Sequence, residues 1–245
     1  MIIFVVPAYN EEMNIARLIA RLDAHLKKTD TSYRLMVVDD GSVDRTAEIV
    51  QDHSNRFPCQ VIRYFPNQGV QEAFRRGFHE ALASASPTDR IVTLEADGTA
   101  DLEILKELMA KVEKNGGVAV ASYYAKGGAV EGTTLHRKIL SFGANCLTRL
   151  VFRIRGIHTY SSFYRVYSPE ALRKVVQHYG DFFTERGFAC VVELLVRIHH
   201  LGFSVSEVPM ILRGAERVGK SKMKVFQTIL GYLRISFRCV TLKSV

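Results

Sequence analysis

Ile2-Ile3-Phe4-Val5-Val6-Pro7-Ala8-Tyr9-Asn10-Glu11 is the stretch whose reading decides the fold. Its apolar, β-branched start reads as a strand buried on both faces. The polar residues that follow end the strand. Asn10 is placed to cap a helix over Glu11–Lys28, where Ile15, Leu18, Ile19, Leu22 and Leu26 recur at helical spacing. The same alternation then repeats along the chain. Strands are expected at Arg34–Val38, Cys59–Tyr64, Arg90–Leu94 and Val118–Ser122. Between them lie helices at Val43–His53, opened by Ser42, at Val70–Ala85 and at Ala100–Lys114. Strands alternating with helices predict an α/β protein with a Rossmann-like, mostly parallel sheet flanked by helices. Ligands of such sheets collect beyond the C-terminal ends of the strands. Four polar or acidic segments lie there: Pro7–Glu11, Asp39–Asp44, Asn67–Gly69 and Glu95–Thr99. Their convergence says more than any one of them alone.

Beyond Gly127 the pattern changes. Gly127–Gly132 reads as a flexible loop, Leu135–Ile154 as a basic amphipathic helix, 184–202 as a helix and Phe203–Pro209 as a strand. Arg213–Lys222 is a basic loop, and Val225–Leu242 a final amphipathic helix with Phe226, Ile229, Leu230, Leu233 and Phe237 at helical spacing. The expected division is a catalytic domain over 1–212, then the basic loop and terminal helix over 213–245.

With 245 residues, near-half hydrophobic content and a formal charge of +8, the chain has material for a full core and a bias toward anionic partners. Cys59, Cys146, Cys190 and Cys239 form no C-x-x-C pair, which argues against a zinc site or a disulfide framework and suits reduced thiols in a cytoplasmic setting. No signal peptide and no apolar run of membrane-spanning length is read. A nucleic-acid partner is not expected, because neither a recognition motif nor a stacking platform accompanies the basic residues. Gly219-Lys220-Ser221-Lys222 is only a fragment of a phosphate loop, and no Ser/His/Asp or Cys/His arrangement can be assembled.

Two acidic segments carry the chemistry. In Asp39-Asp40-Gly41-Ser42, a strand-end carboxylate can bond a ribose or base, or can cap the next helix. In Glu95-Ala96-Asp97, two carboxylates one residue apart suit a hard cation, Mg2+ or Mn2+, completed by phosphate oxygens. Such a cation neutralises a diphosphate leaving group.

Taken together, these residues resemble the family 2 glycosyltransferases, in particular the dolichol-phosphate mannose synthase-like branch. The matching stretches are Val6-Pro7-Ala8-Tyr9-Asn10-Glu11-Glu12, Val37-Val38-Asp39-Asp40-Gly41-Ser42, Asn67-Gln68-Gly69 and Glu95-Ala96-Asp97. Later matches are Gly127-Gly128, Arg137-Lys138, Ser162-Phe163-Tyr164-Arg165-Val166-Tyr167, Val192-Glu193-Leu194-Leu195, Glu207-Val208-Pro209 and Gly219-Lys220-Ser221-Lys222-Met223.

The resemblance implies a GT-A fold and an inverting transfer of mannose or glucose from a GDP- or UDP-linked donor to a polyprenyl phosphate. It implies that Pro7, Tyr9, Glu11, Val38 and Asp40 line the nucleotide pocket, and that Glu95 and Asp97 hold the metal and diphosphate, with Ala96 between them and Thr99 as a further ligand. Arg217 and Lys222 would close over the donor phosphates, and Arg137 and Arg165 would face the acceptor phosphate or the sugar. A hydroxyl acceptor would need a base, for which Glu193 is the nominee. Glu95 stands where the family more often has Asp, and Tyr123 where it often has Arg. The basic terminal helix suits peripheral attachment to the cytoplasmic face of a membrane or to a membrane-protein partner. Transfer to a sugar, peptide or small-molecule hydroxyl, and a non-catalytic sugar-nucleotide-binding subunit, are the alternatives.

Overall fold

The first strand, β1 (Ile2–Ala8), divides its side chains between two cores. Ile2, Phe4 and Val6 pack on one face with Ile15, Leu18, Ile19, Leu22 and Leu26 of helix α1 (Glu12–Lys28). Ile3 and Val5 pack on the other face with Phe74, Phe78 and Ala81. A period of two along the strand meets a period of 3.6 along each helix, and a layered α/β arrangement follows. The computed structural model describes residues 1–133, 135–216, 218–219 and 225–242; side chains of 135–140, 225–226 and 238–242 are not part of the description.

The remaining elements are β2 (Tyr33–Asp40), α2 (Thr46–His53), β3 (Cys59–Tyr64), α3 (Val70–Ser84), β4 (Arg90–Thr93), α4 (Leu105–Asn115), β5 (Val118–Ser122), β6 (Ala129–Glu131) and α5 (Leu135–Phe152). They continue with β7 (Arg165–Tyr167), α6 (Pro169–Tyr179), α7 (Cys190–His200), β8 (Val205–Pro209), β9 (Ile211–Arg213) and α8 (Val225–Leu242). Seven strands form one sheet in the order β3-β2-β1-β4-β7-β5-β8. All neighbours are parallel except β7, which runs antiparallel between β4 and β5. The strands β6 and β9 form a separate parallel pair. The expected mostly parallel sheet is therefore present. No helix among the described residues is long and apolar enough to cross a membrane.

Several local expectations are corrected. Asn10 does not cap α1: it adopts φ 52°, its amide donates to Ser42 Oγ at 2.9 Å, and its Oδ1 accepts from Val43 N at 2.9 Å. Ser42 does not open α2, which starts at Thr46, where Asp44 Oδ1 accepts from Thr46 N at 3.0 Å. In both cases the polar side chains bond across to the neighbouring strand end instead of to their own helix. The expected flexible loop at Gly127–Gly132 contains β6. The helix expected over 184–202 begins later, with a 3-10 turn at Gly187–Ala189 leading into α7. The one expected from Ala100 starts as a 3-10 turn, with Asp101 accepting from Glu103 N. The stretch before 184 holds β7 and α6; Ser168 caps α6, Pro169 sits in its first turn, and Gly180 ends it in the left-handed region.

Candidate active site

The crest of the sheet is built from the loops after β1, β2 and β4. Pro7 pairs with Val38 and Ala8 with Asp39, so the ends of β1 and β2 are level. The two following loops are laced together by Asn10 and Ser42, by Glu11 N donating to Thr46 Oγ1 at 2.8 Å, and by Glu12 N donating to Asp44 Oδ2 at 3.1 Å. Pro7, Tyr9, Glu11, Val38 and Asp40 thus lie in one band along the strand ends.

The two aspartates after Val38 hold this band in shape. Asp40 is buried and accepts from Gln68 N at 2.7 Å, Gly69 N at 2.9 Å and Asn67 Nδ2 at 2.9 Å, so it fixes the loop before α3. Burial raises its carboxyl above the usual range, and these amides pull it back only in part. Asp39 is fully buried, accepts from Ser42 N at 3.0 Å, and has Arg63 Nε 3.2 Å from Oδ2 without an aligned hydrogen bond. Between them, Gly41 sits at φ 70°, where an added Cβ would come within 2.7 Å of Asn67 N. Only glycine allows that turn to approach so closely.

The acidic turn Glu95–Thr99 follows β4. Glu95 is half-buried, while Ala96, Asp97 and Thr99 are buried. Asp97 Oδ1 accepts from Thr99 N at 3.0 Å and from Thr99 Oγ1 at 2.7 Å. Thr99 is thus placed to orient Asp97. Among the described residues no group of three or more His, Cys, Asp or Glu side chains comes together. Two carboxylates on one turn nonetheless fit Mg2+ or Mn2+, which characteristically take their other ligands from phosphate oxygens and water.

Tyr123, just past β5, faces this turn. Burial raises its phenol, the Glu95 charge adds to the rise, and the hydroxyl pairs with Ser161 Oγ at 3.0 Å. A neutral phenol therefore stands here. Thr159 braces the same corner, with its Oγ1 2.8 Å from Ser122 Oγ and accepting from Tyr124 N at 3.3 Å.

Behind the turn lie residues that sequence reasoning missed. Arg17 Nη2 donates to Glu216 O at 2.6 Å and to Asp97 O at 3.4 Å. Arg21 Nη1 donates to Gly98 O at 2.5 Å and to Glu216 Oε2 at 3.0 Å. Asn14 exchanges bonds with Val218 on the same helix face. The signal was present as a polar stripe 14-17-21 beside the apolar stripe of α1.

Arg165 and Glu193 are placed differently from the roles expected of them. Arg165 has no exposed surface, and it donates to Ser162 O, Val191 O and Tyr160 O at 2.8, 2.6 and 2.5 Å. This geometry ties β7 to α7 and to the 160–162 loop, so the guanidinium is turned inward. Glu193 accepts from Thr184 N, Thr184 Oγ1 and Glu185 N and pairs with Arg197. Its carboxylate closes the turn before α7. Arg217 and Lys222 lie outside the described residues, as does the side chain of Arg137.

Comparison with known proteins accords with this geometry. Residues 3–176 match the model of Glycosyl transferase family 2. The chain is 35% identical over 96% of its length to the dolichol-phosphate mannosyltransferase of Pyrococcus furiosus, of which it spans 62%. It is 30% identical over 89% of its length to the polyprenol monophosphomannose synthase of Mycolicibacterium smegmatis, of which it spans 79%. Among solved structures, glucosyl-3-phosphoglycerate synthase from Mycobacterium tuberculosis, crystallised with Mn2+, UDP and phosphoglyceric acid, shares the fold with TM-score 0.65 at 17% identity, over 96% of this chain and 78% of that one. Mannosyl-3-phosphoglycerate synthase from Rubrobacter xylanophilus does so with TM-score 0.65 at 14% identity, over 100% of this chain and 75% of that one. The sheet order and the acidic strand end on a GT-A fold, with the match over most of the chain, place this protein in glycosyltransferase family 2.

Proposed function

We propose that the chain transfers a hexose, mannose or glucose, from a GDP- or UDP-linked donor to a polyprenyl phosphate, with inversion at the anomeric carbon. Both relatives are named for a polyprenol-phosphate mannose activity. The observation that carries the choice of acceptor is the state of Glu193. This carboxylate, the nominated base, is committed to Thr184, Glu185 and Arg197. A hydroxyl acceptor needs a base to remove its proton. A phosphate oxygen is already anionic at neutral pH and attacks without one.

In this reading the nucleoside lies along the band from Pro7 to Glu11 and Val38 to Asp40. The diphosphate lies over the Glu95–Thr99 turn. Mg2+ or Mn2+ held by Glu95 and Asp97 would supply charge neutralisation for the diphosphate. Thr99 keeps the Asp97 carboxylate oriented, and the neutral Tyr123 adds no charge beside Glu95. Basic side chains at Arg217 and Lys222 belong to the same reading as donor-phosphate contacts, and Arg137 as an acceptor contact. Arg165 acts by holding β7 and α7 in place.

The acceptor approaches from the side of α5 and α8. These helices touch one another, and Phe142, Leu150, Leu230, Leu233 and Phe237 are exposed on them. An apolar face beside a basic chain suits a polyprenyl tail and an anionic lipid surface. The test is incubation with Mn2+ or Mg2+, labelled GDP- and UDP-hexoses, and short polyprenyl phosphates. A lipid-linked sugar with inverted configuration is expected. Glycosylation of a sugar or peptide hydroxyl without any lipid product would overturn the acceptor assignment.

A further inference from the structure

One stripe of α1 joins two parts of the crest that are far apart in sequence. From this stripe, Arg17 and Arg21 reach the backbone carbonyls of Asp97, Gly98 and Ala100. The same two guanidiniums reach Glu216, Arg17 through its carbonyl and Arg21 through its carboxylate. Asn14, buried, donates to Val218 O at 3.0 Å and accepts from Val218 N at 3.4 Å. The fit is close: Gly98 sits at φ 78°, and an added Cβ would lie 3.0 Å from Arg17 Nη2. On the far side, Gly132 packs against Ala215, whose amide nitrogen would lie 2.7 Å from an added Cβ. The 214–216 turn is thereby held between α1 and the end of β6.

Arg17 Nη2 bridges the main chain of Asp97 and of Glu216, while Arg21 spreads the two arms of its planar fork over the Gly98 and Ala100 carbonyls and the Glu216 carboxylate. Such a fork transmits position as well as charge. We propose that Asn14, Arg17 and Arg21 are positioning residues that hold the Asp97 turn in register with the 214–216 turn and Val218 across the diphosphate side of the site. The inference rests on the sugar-nucleotide reading for its catalytic consequence, and on geometry alone for the mechanical link. An ammonium has no planar fork, so charge without shape does not replace it.

The experiment compares full-length Arg17→Ala, Arg21→Ala, Arg21→Lys and Glu216→Gln variants. Hydrogen exchange is followed in peptides covering 95–101 and 213–219, and turnover is measured with Mn2+ and GDP- or UDP-hexose. Each Arg→Ala change is expected to speed exchange roughly tenfold in both peptides at once, because charged hydrogen bonds on both sides are lost together. The melting temperature should move by only about 2–4 °C. Donor kcat should fall roughly tenfold, with KM within about twofold, since the reacting groups are misplaced more than the donor is unbound. Arg21→Lys should resemble Arg21→Ala, and Glu216→Gln should show a smaller effect, because the Arg17 bond to the main chain survives. Exchange that changes in only one peptide, or full rescue by Arg21→Lys, overturns the proposal. So does unchanged kcat when both peptides exchange faster in an otherwise active enzyme. If the unmodified protein turns over no sugar nucleotide, the function reading falls. Coupled exchange in both peptides then still supports the mechanical link, and uncoupled exchange still refutes it.

Discussion

Arg165 and Asp97 both stand in motifs that assign them to the site, one facing the acceptor phosphate or the sugar and one the metal, yet they serve the molecule in opposite ways. Arg165 is enclosed by the carbonyls of Tyr160, Ser162 and Val191; Val191 keeps its helical partner in α7, so replacing Arg165 by Met strips the buried loop carbonyls of Tyr160 and Ser162 of this donor. Each such acceptor costs about 1–3 kcal/mol. In a domain of this size each kcal/mol lowers the melting temperature by roughly 2–4 °C. Arg165→Met should therefore lower the melting temperature markedly, with activity falling only as folded protein is lost. Asp97→Ala should do the reverse: metal-dependent turnover disappears while the melting temperature stays close to that of the parent. Thermal scans alongside donor turnover separate the two, and an Asp97→Ala protein with full activity would refute the metal assignment. The sequence identified both residues through their motifs. It did not show which way the Arg165 side chain points, because inward and outward placement leave the same letters at the end of the same short strand. Nor did it reveal Arg17 and Arg21, whose partners lie about eighty and two hundred positions away and, apart from the Glu216 carboxylate, are main-chain atoms, which carry no sequence signature.

Long apolar runs made the elements of the first half readable, since β1, β2, β4 and β5 are buried on both faces and keep a continuous β-branched pattern. The three-residue strands β6, β7 and β9 are too short to show a period of two. The reversed direction of β7 depends on tertiary pairing with both β4 and β5. The terminal helix shows the same limit in another form. Its amphipathic spacing left open whether it packs on the domain or lies on a membrane surface, and α8 packs on the domain along one side while leaving apolar side chains exposed on the other. Tyr232 and Ile235 are buried in the core, while Phe237 is 73% exposed. Gly231 sets the contact: an added Cβ would lie 2.5 Å from Ala189 Cβ, and one turn away Arg234 pairs with the buried Glu185 at 2.8 Å. Gly231→Ala should push α8 outward and strain that ion pair. Overpacking of this kind costs about 1–3 kcal/mol. Urea unfolding should show that loss, and adding Ala189→Gly to the variant should recover most of it, because the clash is between these two Cβ atoms. Undiminished stability of the single variant would show that the helix is not seated at Gly231.

At the scale of the molecule, four polar segments predicted to converge do so because parallel strands deliver their C-terminal ends to one edge. That edge was legible from the order of apolar and polar stretches alone. The apolar surface on α5 and α8 was legible only in part: Leu230, Leu233 and Phe237 were read from spacing, whereas Phe142 and Leu150 emerge once α5 is seen against α8. Exposed aromatic and aliphatic side chains on two touching helices gain free energy by entering a lipid interface, about 1.5–3 kcal/mol for each large side chain fully buried. The excess of 33 Lys and Arg over 25 Asp and Glu adds attraction to anionic headgroups. Hydrophobic insertion is insensitive to salt, while the charge contribution is screened over about 10 Å at 0.1 M salt. The full chain should therefore sediment with vesicles containing phosphatidylglycerol more than with neutral phosphatidylcholine, and raising the salt should reduce the difference without abolishing residual binding. Leu233→Ser with Phe237→Ser should lower vesicle partition roughly tenfold or more, since two insertions are lost. Both positions are exposed, at 38% and 73%, so the folded core should keep its melting temperature. Turnover on a water-soluble short-chain acceptor should persist in this variant while turnover on vesicle-borne acceptor falls, because the catalytic crest is untouched and only the approach to the lipid is impaired. Equal loss on both acceptors would move the apolar face from lipid approach into the catalytic machinery itself.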